Sequence, residues 1–140
     1  MLKGVPSIIS PDLLKALAEM GHGDEIVLVD ANFPAASNAK RLIRLDGVAM
    51  PELLQAVLQL IPLDPYVATP AVLMQVVDGD LPPAIWETYR RVIEAEAGGV
   101  VVSHIARADF YERSRAAYAV VATGEQSPYG NIVLKKGVVS

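Results

Sequence analysis

Helix-like and strand-like hydrophobic periods alternate along the whole chain, and this alternation restricts its fold more than any other feature. Ser10 is a good N-cap, Pro11 suits the first helical position, and Asp12 favours the positive end of the helix dipole. Leu13, Leu14, Leu17 and Ala18 mark one face, and Gly21 supplies a stop. Glu25 to Ala31 reads as a strand buried on both sides, because Ile26-Val27-Leu28-Val29 presents no polar face. Asn32 to Ala39 reads as a loop, and Arg41 to Leu45 as a short strand ending in the turn Asp46-Gly47. A second helix opens at Pro51, with Leu53, Leu54, Val57, Leu58 and Ile61 on one side. A connection spaced by Pro62, Pro65 and Pro70 leads to a strand over Val72 to Val77. Pro83 opens a third helix with Ile85, Trp86, Tyr89 and Ile93 inward and the pair Glu87/Arg91 outward. Gly99 to Ile105 is strand-like and Arg107 to Ala117 helix-like. Tyr118 to Thr123 and Asn131 to Val139 close the chain as two strands around a short loop, read as an antiparallel pair. The expectation is an α/β fold: a single domain, residues 1–140, with helices packed on a mixed β-sheet.

Composition narrows the function classes. With 16 acidic residues against 12 Lys and Arg, the net charge of −4 argues against a nucleic-acid partner. There is no cysteine, so disulfides, thiolate nucleophiles and iron–sulfur clusters are excluded. Apolar residues make up 52% of the chain, yet the longest uninterrupted run is only Ala116 to Ala122. That is well short of the roughly 18 residues of a membrane span. The N-terminus carries one Lys and a Pro-broken apolar patch, which is no signal peptide. A cytoplasmic chain that hides its apolar surplus against copies of itself is the resulting expectation.

Two polar clusters interrupt this apolar background. The first is Met20-Gly-His22-Gly-Asp24-Glu25, followed by Asp30-Ala-Asn32. His22 sits between glycines, which leave its ring accessible. Asp24 precedes the strand, whereas Asp30 lies at its carboxyl end, where α/β sheets gather their ligands. A glycine-capped turn with solvated polar residues is the bland alternative. The second cluster is Arg107 with Asp109-Phe-Tyr111-Glu-Arg113, and then Tyr129-Gly130-Asn131. Asp accepts from adjacent hydroxyls, Arg and Asn donate, and an aromatic ring covers a C–H face: this suits a polyhydroxylated neutral ligand. A structural role is favoured for His104, near the end of an apolar strand. His22, Asp24, Asp30 and His104 have no zinc-like spacing, G-x-S-x-G is absent, and Gly21-x-Gly23 precedes a strand where a dinucleotide site needs a helix. Neither a metal nor a cofactor is expected.

The stretch from Met20 through Asp30-Ala-Asn-Phe-Pro to Ala35 resembles the N-terminal signature of the L-fucose mutarotases, relatives of the ribose pyranases. Phe110-Tyr-Glu-Arg113, Val121-Ala-Thr-Gly-Glu125 and the run from Tyr129-Gly-Asn to Val138 resemble its C-terminal signatures, so the likeness extends from Leu2 to Val138. It implies interconversion of the α and β anomers of L-fucose or a related monosaccharide by acid/base ring opening and reclosure. In that scheme His22 is catalytic with Tyr111 as a partner in proton transfer, and Asp30, Arg107, Tyr129, Gly130 and Asn131 bind the sugar. Asp24 is read as supporting. Arg107 stands where ribose pyranases tend to have His, which favours the fucose branch. The resemblance also implies a ring-shaped homo-oligomer, often a decamer, with sites near subunit contacts. Three alternatives stay open: a D-ribose pyranase, a non-catalytic sugar-binding accessory protein of monosaccharide uptake, and a structural ring protein.

Overall fold

The computed structural model describes residues 1–140 as eleven elements. In chain order these are α1 (Pro11–Glu19), β1 (Glu25–Val29), α2 (Ala35–Asn38), β2 (Leu42–Leu45), α3 (Met50–Leu58) and β3 (Ala71–Met74). They continue with α4 (Ile85–Glu96), β4 (Val102–Ile105), α5 (Arg107–Ala116), β5 (Ala119–Thr123) and β6 (Ile132–Lys135). The strands form one sheet in the order β2-β5-β1-β6-β3-β4. β1, β2 and β5 pair in parallel, as do β3 and β4, while β6 runs antiparallel to both β1 and β3.

Two expectations change here. The loop expected over Asn32 to Ala39 contains the short helix α2, whose Ala35 is buried. The last two strands do run in opposite directions, yet they are not neighbours: β5 lies on one side of β1 and β6 on the other. Strand β1 is apolar on both faces and needs a partner at each edge, and β6 fills the gap between it and β3.

Strand parity divides the core. Ile26 and Leu28 of β1 join Ala119 and Val121 of β5 and Ile132 and Leu134 of β6, under α1, α3 and α4. Val27 and Val29 join Val72, Val120 and Val133 on the other face, under Phe33, Ala35 and Phe110 from the α2 and α5 side. All four apolar β1 side chains are fully buried, and burial of a Val or Leu contributes about 1.5–3 kcal/mol. Helix α1 begins as its sequence requires, with the Ser10 hydroxyl accepting from the Leu13 amide at 3.2 Å. No helix is long and apolar enough to cross a membrane.

This topology splits the first polar cluster between opposite ends of the sheet. The carboxyl ends of β1, β3 and β4 point the same way as the amino end of β6. Asp30, the β3–α4 loop, Arg107 and Tyr129 to Asn131 therefore share one end. His22 and Asp24 precede β1 and lie at the other.

Candidate functional site

The β1–β6 register builds the centre of the site. Leu28 faces Ile132, so continuing the antiparallel pairing sets Asp30 opposite Gly130. The Asp30 backbone N–H donates to Asn131 Oδ1 at 2.8 Å, and the Gly130 N–H donates to Asp30 Oδ2 at 3.3 Å. The other Asp30 carboxylate oxygen accepts from the Asn32 N–H at 3.0 Å. Burial pushes the Asp30 carboxyl above its ordinary value, and the amides of Asn32, Gly130 and Phe33 and the Asn131 side chain oppose that rise.

The turn before β6 is held from behind by α4. Tyr129 adopts φ 56°, a left-handed backbone unusual for a residue with a side chain. Its carbonyl accepts from Trp86 Nε1 at 2.8 Å, and the Gly130 carbonyl accepts from the Tyr89 hydroxyl at 3.0 Å. Gly130 has little room for a side chain: a Cβ there would lie 3.0 Å from the Ser127 carbonyl oxygen and 3.1 Å from the Tyr89 hydroxyl, so these neighbours would have to give way. The Tyr129 hydroxyl donates to the Asp80 carboxylate, and that bond holds its pKa above the ordinary tyrosine value.

Helix α5 closes the other wall. Arg107 and Tyr111 are four residues apart and so share a helix face. Arg107 Nε donates to the Tyr111 hydroxyl at 3.1 Å, which leaves the phenolic O–H free to donate elsewhere. Phe33 packs its ring edge-on to Tyr111 at 5.3 Å and to Phe110 at 5.9 Å. Arg107, Tyr111 and Phe33 line a cleft of about 260 Å³ with Asp30, Asp80, Tyr129 and Asn131. That is below the roughly 300–1,000 Å³ of sites for drug-sized ligands, so it suits one small molecule.

Five of the residues given a catalytic or binding role from the sequence meet in this cleft: Asp30, Arg107, Tyr111, Tyr129 and Asn131. Gly130 backs it through its amide and carbonyl. His22 and Asp24 are elsewhere. At about 3.3 Å per residue, the five residues of β1 separate the two ends by roughly 16 Å. His22 Nε2 lies 3.0 Å from Asp64 Oδ1, and its ring packs 5.4 Å from that of Tyr66. Asp24 accepts from the Gly21 amide at 2.7 Å, closing the glycine turn in which His22 sits. His104 packs 4.9 Å from the Trp86 ring under α4, where burial and then Arg90 lower its pKa. No three His, Cys, Asp or Glu side chains converge as a metal site would require.

The cleft also uses residues to which the sequence reading gave no binding role: Asn32, which it had named in the first polar cluster, and Phe33, Met74, Asp80 and Pro128. Asp80 was legible in principle, because Asp78-Gly79-Asp80 follows a strand and ligands gather beyond strand ends. Trp86 and Tyr89 read as core residues of α4, and both are buried. Their polar hydrogens were the available signal, since a buried indole or phenol needs an acceptor.

Comparison with known proteins places the chain in a family. The model of the RbsD / FucU transport protein family matches residues 3–139. The chain belongs to this family. Within the RbsD / FucU family it is 50% identical to the fucose mutarotase of Bos taurus, over 100% of this chain and 95% of that protein. It is 49% identical to the L-fucose mutarotase of Histophilus somni (strain 2336), over 99% and 97%. The crystal structure of the fucose mutarotase from Streptococcus pneumoniae in complex with L-fucose superposes with a TM-score of 0.95 at 59% identity. That match covers 99% of this chain and 100% of the other. The α/β architecture with its mixed sheet is thus the family's fold.

Proposed function

We infer that this chain is an L-fucose mutarotase, an isomerase that interconverts the α and β anomers of the sugar, with residues 1–140 acting as one mutarotase domain. The observation that carries the reading is the full-length match, at 59% identity, to a fucose mutarotase in complex with L-fucose. The cleft supports it chemically. Asp30 offers acceptors to sugar hydroxyls, Arg107 and Asn131 offer donors, and Tyr129 and Phe33 offer rings for the C–H face.

Mutarotation needs two proton transfers. The anomeric hydroxyl loses a proton as the bond from C1 to the ring oxygen breaks, and the ring oxygen gains one. The aldehyde then turns about C1–C2 and recloses on its other face. His22 and Tyr111 are the proton carriers in this reading, because histidine gives and takes protons near neutral pH. Asp30, Arg107, Tyr129, Gly130 and Asn131 hold the sugar, and Asp24 supports His22 by closing its turn. The residues suffice for the proton balance without a metal or cofactor.

His22 stands some 16 Å from the cleft, the length of β1, so its part in the reaction requires a second copy of the chain. A homo-oligomer, either a ring or a decamer, with His22 of one protomer entering the cleft of the next satisfies that requirement. Exposed Tyr66, Leu81 and Val101 supply apolar surface for such contacts. The same reading assigns the enzyme to the cytoplasm.

Saturation-transfer NMR across L-fucose, D-ribose, D-galactose and D-glucose tests this. Catalysed anomer exchange strongest with L-fucose is the expected result. Tight sugar binding without exchange would make the protein an accessory binder, and pyranose–furanose exchange confined to D-ribose would make it a pyranase.

A further inference from the structure

We propose that Asp64 is the positioning residue of His22, holding the imidazole proton on Nε2 and leaving Nδ1 as the atom that exchanges protons with the sugar. The proposal rests on the reading of His22 as a proton carrier and adds to it a partner and an atom. His22 and Asp64 are 42 positions apart, and the contact is built from two separate loops. The Asp64 side chain is 4% exposed whereas that of His22 is 46% exposed, so this is no solvated surface pair. Asp64 is anchored by its own backbone, its N–H donating to the Lys135 carbonyl on β6 at 3.0 Å. The same Oδ1 that meets His22 also accepts from the Tyr66 N–H at 3.0 Å. A buried carboxylate held on rigid neighbours, carrying an exposed imidazole on its outer edge, is the geometry that orients a histidine for proton transfer.

The tautomer follows from the inventory of donors and acceptors. The Tyr66 amide, then His22 and the charge of Lys135, hold the Asp64 carboxyl below its ordinary value. An ionised carboxylate only accepts, so its bond to Nε2 requires a proton on Nε2. Neutral His22 then carries its lone pair on Nδ1, and the second proton of the imidazolium enters at Nδ1. During each ring opening one proton passes through Nδ1, to or from the reacting oxygen that faces it. Nε2–H stays on Asp64 throughout, and closure returns the borrowed proton. The other groups around the ring do not compete for Nε2. Asp24 is turned to the Gly21 amide, Tyr66 presents its ring at 53°, and Lys135 is a cation with nothing to accept with.

Long-range proton–nitrogen NMR on histidine-labelled protein reads the tautomer directly. The chain has two histidines, so a His104→Gln spectrum assigns the His22 signals. Above its ionisation, wild-type His22 should be the Nε2–H tautomer, a measurement that needs no variant at Asp64. In Asp64→Asn, which keeps an acceptor but loses the charge, L-fucose exchange should fall about 10- to 100-fold while sugar affinity stays within about twofold. The His22 tautomer population of that variant should also move away from Nε2–H, which a purely structural role would not cause. A wild-type Nδ1–H tautomer overturns the proposal. So does undiminished exchange in a folded Asp64→Asn protein when His22→Gln is inactive. Full exchange in His22→Gln overturns the underlying reading of His22, and the proposal falls with it.

Discussion

Asp30 and Asn131 hold one another across the β1–β6 seam: the Asp30 amide donates to the Asn131 side-chain oxygen at 2.8 Å, over a sequence separation of 101. That bond uses the Asn131 oxygen and leaves its NH₂ group toward the cleft. Asp30 similarly spends one carboxylate oxygen on Asn32 and the other on Gly130. Each of those oxygens has a second lone pair for a sugar hydroxyl. The residues that bind the ligand are therefore the residues that fix the turn.

Asp30→Asn should weaken L-fucose binding by about 1.5–3 kcal/mol, the usual scale for a hydrogen bond to a charged group. Its effect on stability should depend on pH. Burial raises the folded pKa above the ordinary 3.8, so the folded protein holds this proton more tightly than the unfolded chain. Ionisation then costs stability, and the loss grows as pH rises from that ordinary value through the raised one. Thermal melts from pH 3.5 to 7 should show the wild type losing ground to the variant across that window. A pH-independent difference would contradict the assignment.

Gly130→Ala should destabilise the fold by about 1–3 kcal/mol through overpacking against Ser127 and Tyr89. Affinity for the sugar should drop as well, because the Gly130 amide that reaches Asp30 must shift. Urea unfolding and a binding titration read the two effects separately. Wild-type values in both would show that the turn yields freely.

Tyr89→Phe removes one oxygen from a fully buried side chain and leaves the Gly130 carbonyl without its donor. The expected cost is about 1–3 kcal/mol in denaturant unfolding. Anomer exchange should survive with a raised KM, since Tyr89 braces the turn from behind and does not line the cleft.

His22→Gln should bind L-fucose yet lose about 10²-fold or more in exchange, because glutamine cannot titrate. Arg107→Ala should lose exchange by weakening the sugar's hold. If His22 enters the cleft of a second copy, the two variants unfolded and refolded together should regain part of the wild-type rate. Mixing that yields only the average of the two would return His22 to its own chain. Light scattering should correspondingly find a mass well above the 15.0 kDa of one chain.

The sequence by itself determined most of the local structure, with the short helix α2 the exception, and which residues stand at strand ends. The double-faced apolar run of β1, the Ser10-Pro11 helix start and the inward α4 residues Trp86, Tyr89 and Ile93 are written in periods of two and 3.6. Asp30 and Arg107 were likewise legible as residues just beyond strands, and Tyr129 to Asn131 as a turn just before one. Which strands became neighbours was decided only by the tertiary structure. A strand's period says which face is buried, but its hydrogen-bonding edges accept any partner of suitable register. The insertion of β6 between β1 and β3, away from β5, made Asp30 face Gly130 and gave Trp86 and Tyr89 the Tyr129 and Gly130 carbonyls to hold. The same pairing left His22 at the far end of β1 against Asp64. Sequence adjacency had joined His22 to Asp30 in one cluster, but an extended strand carries its two ends apart.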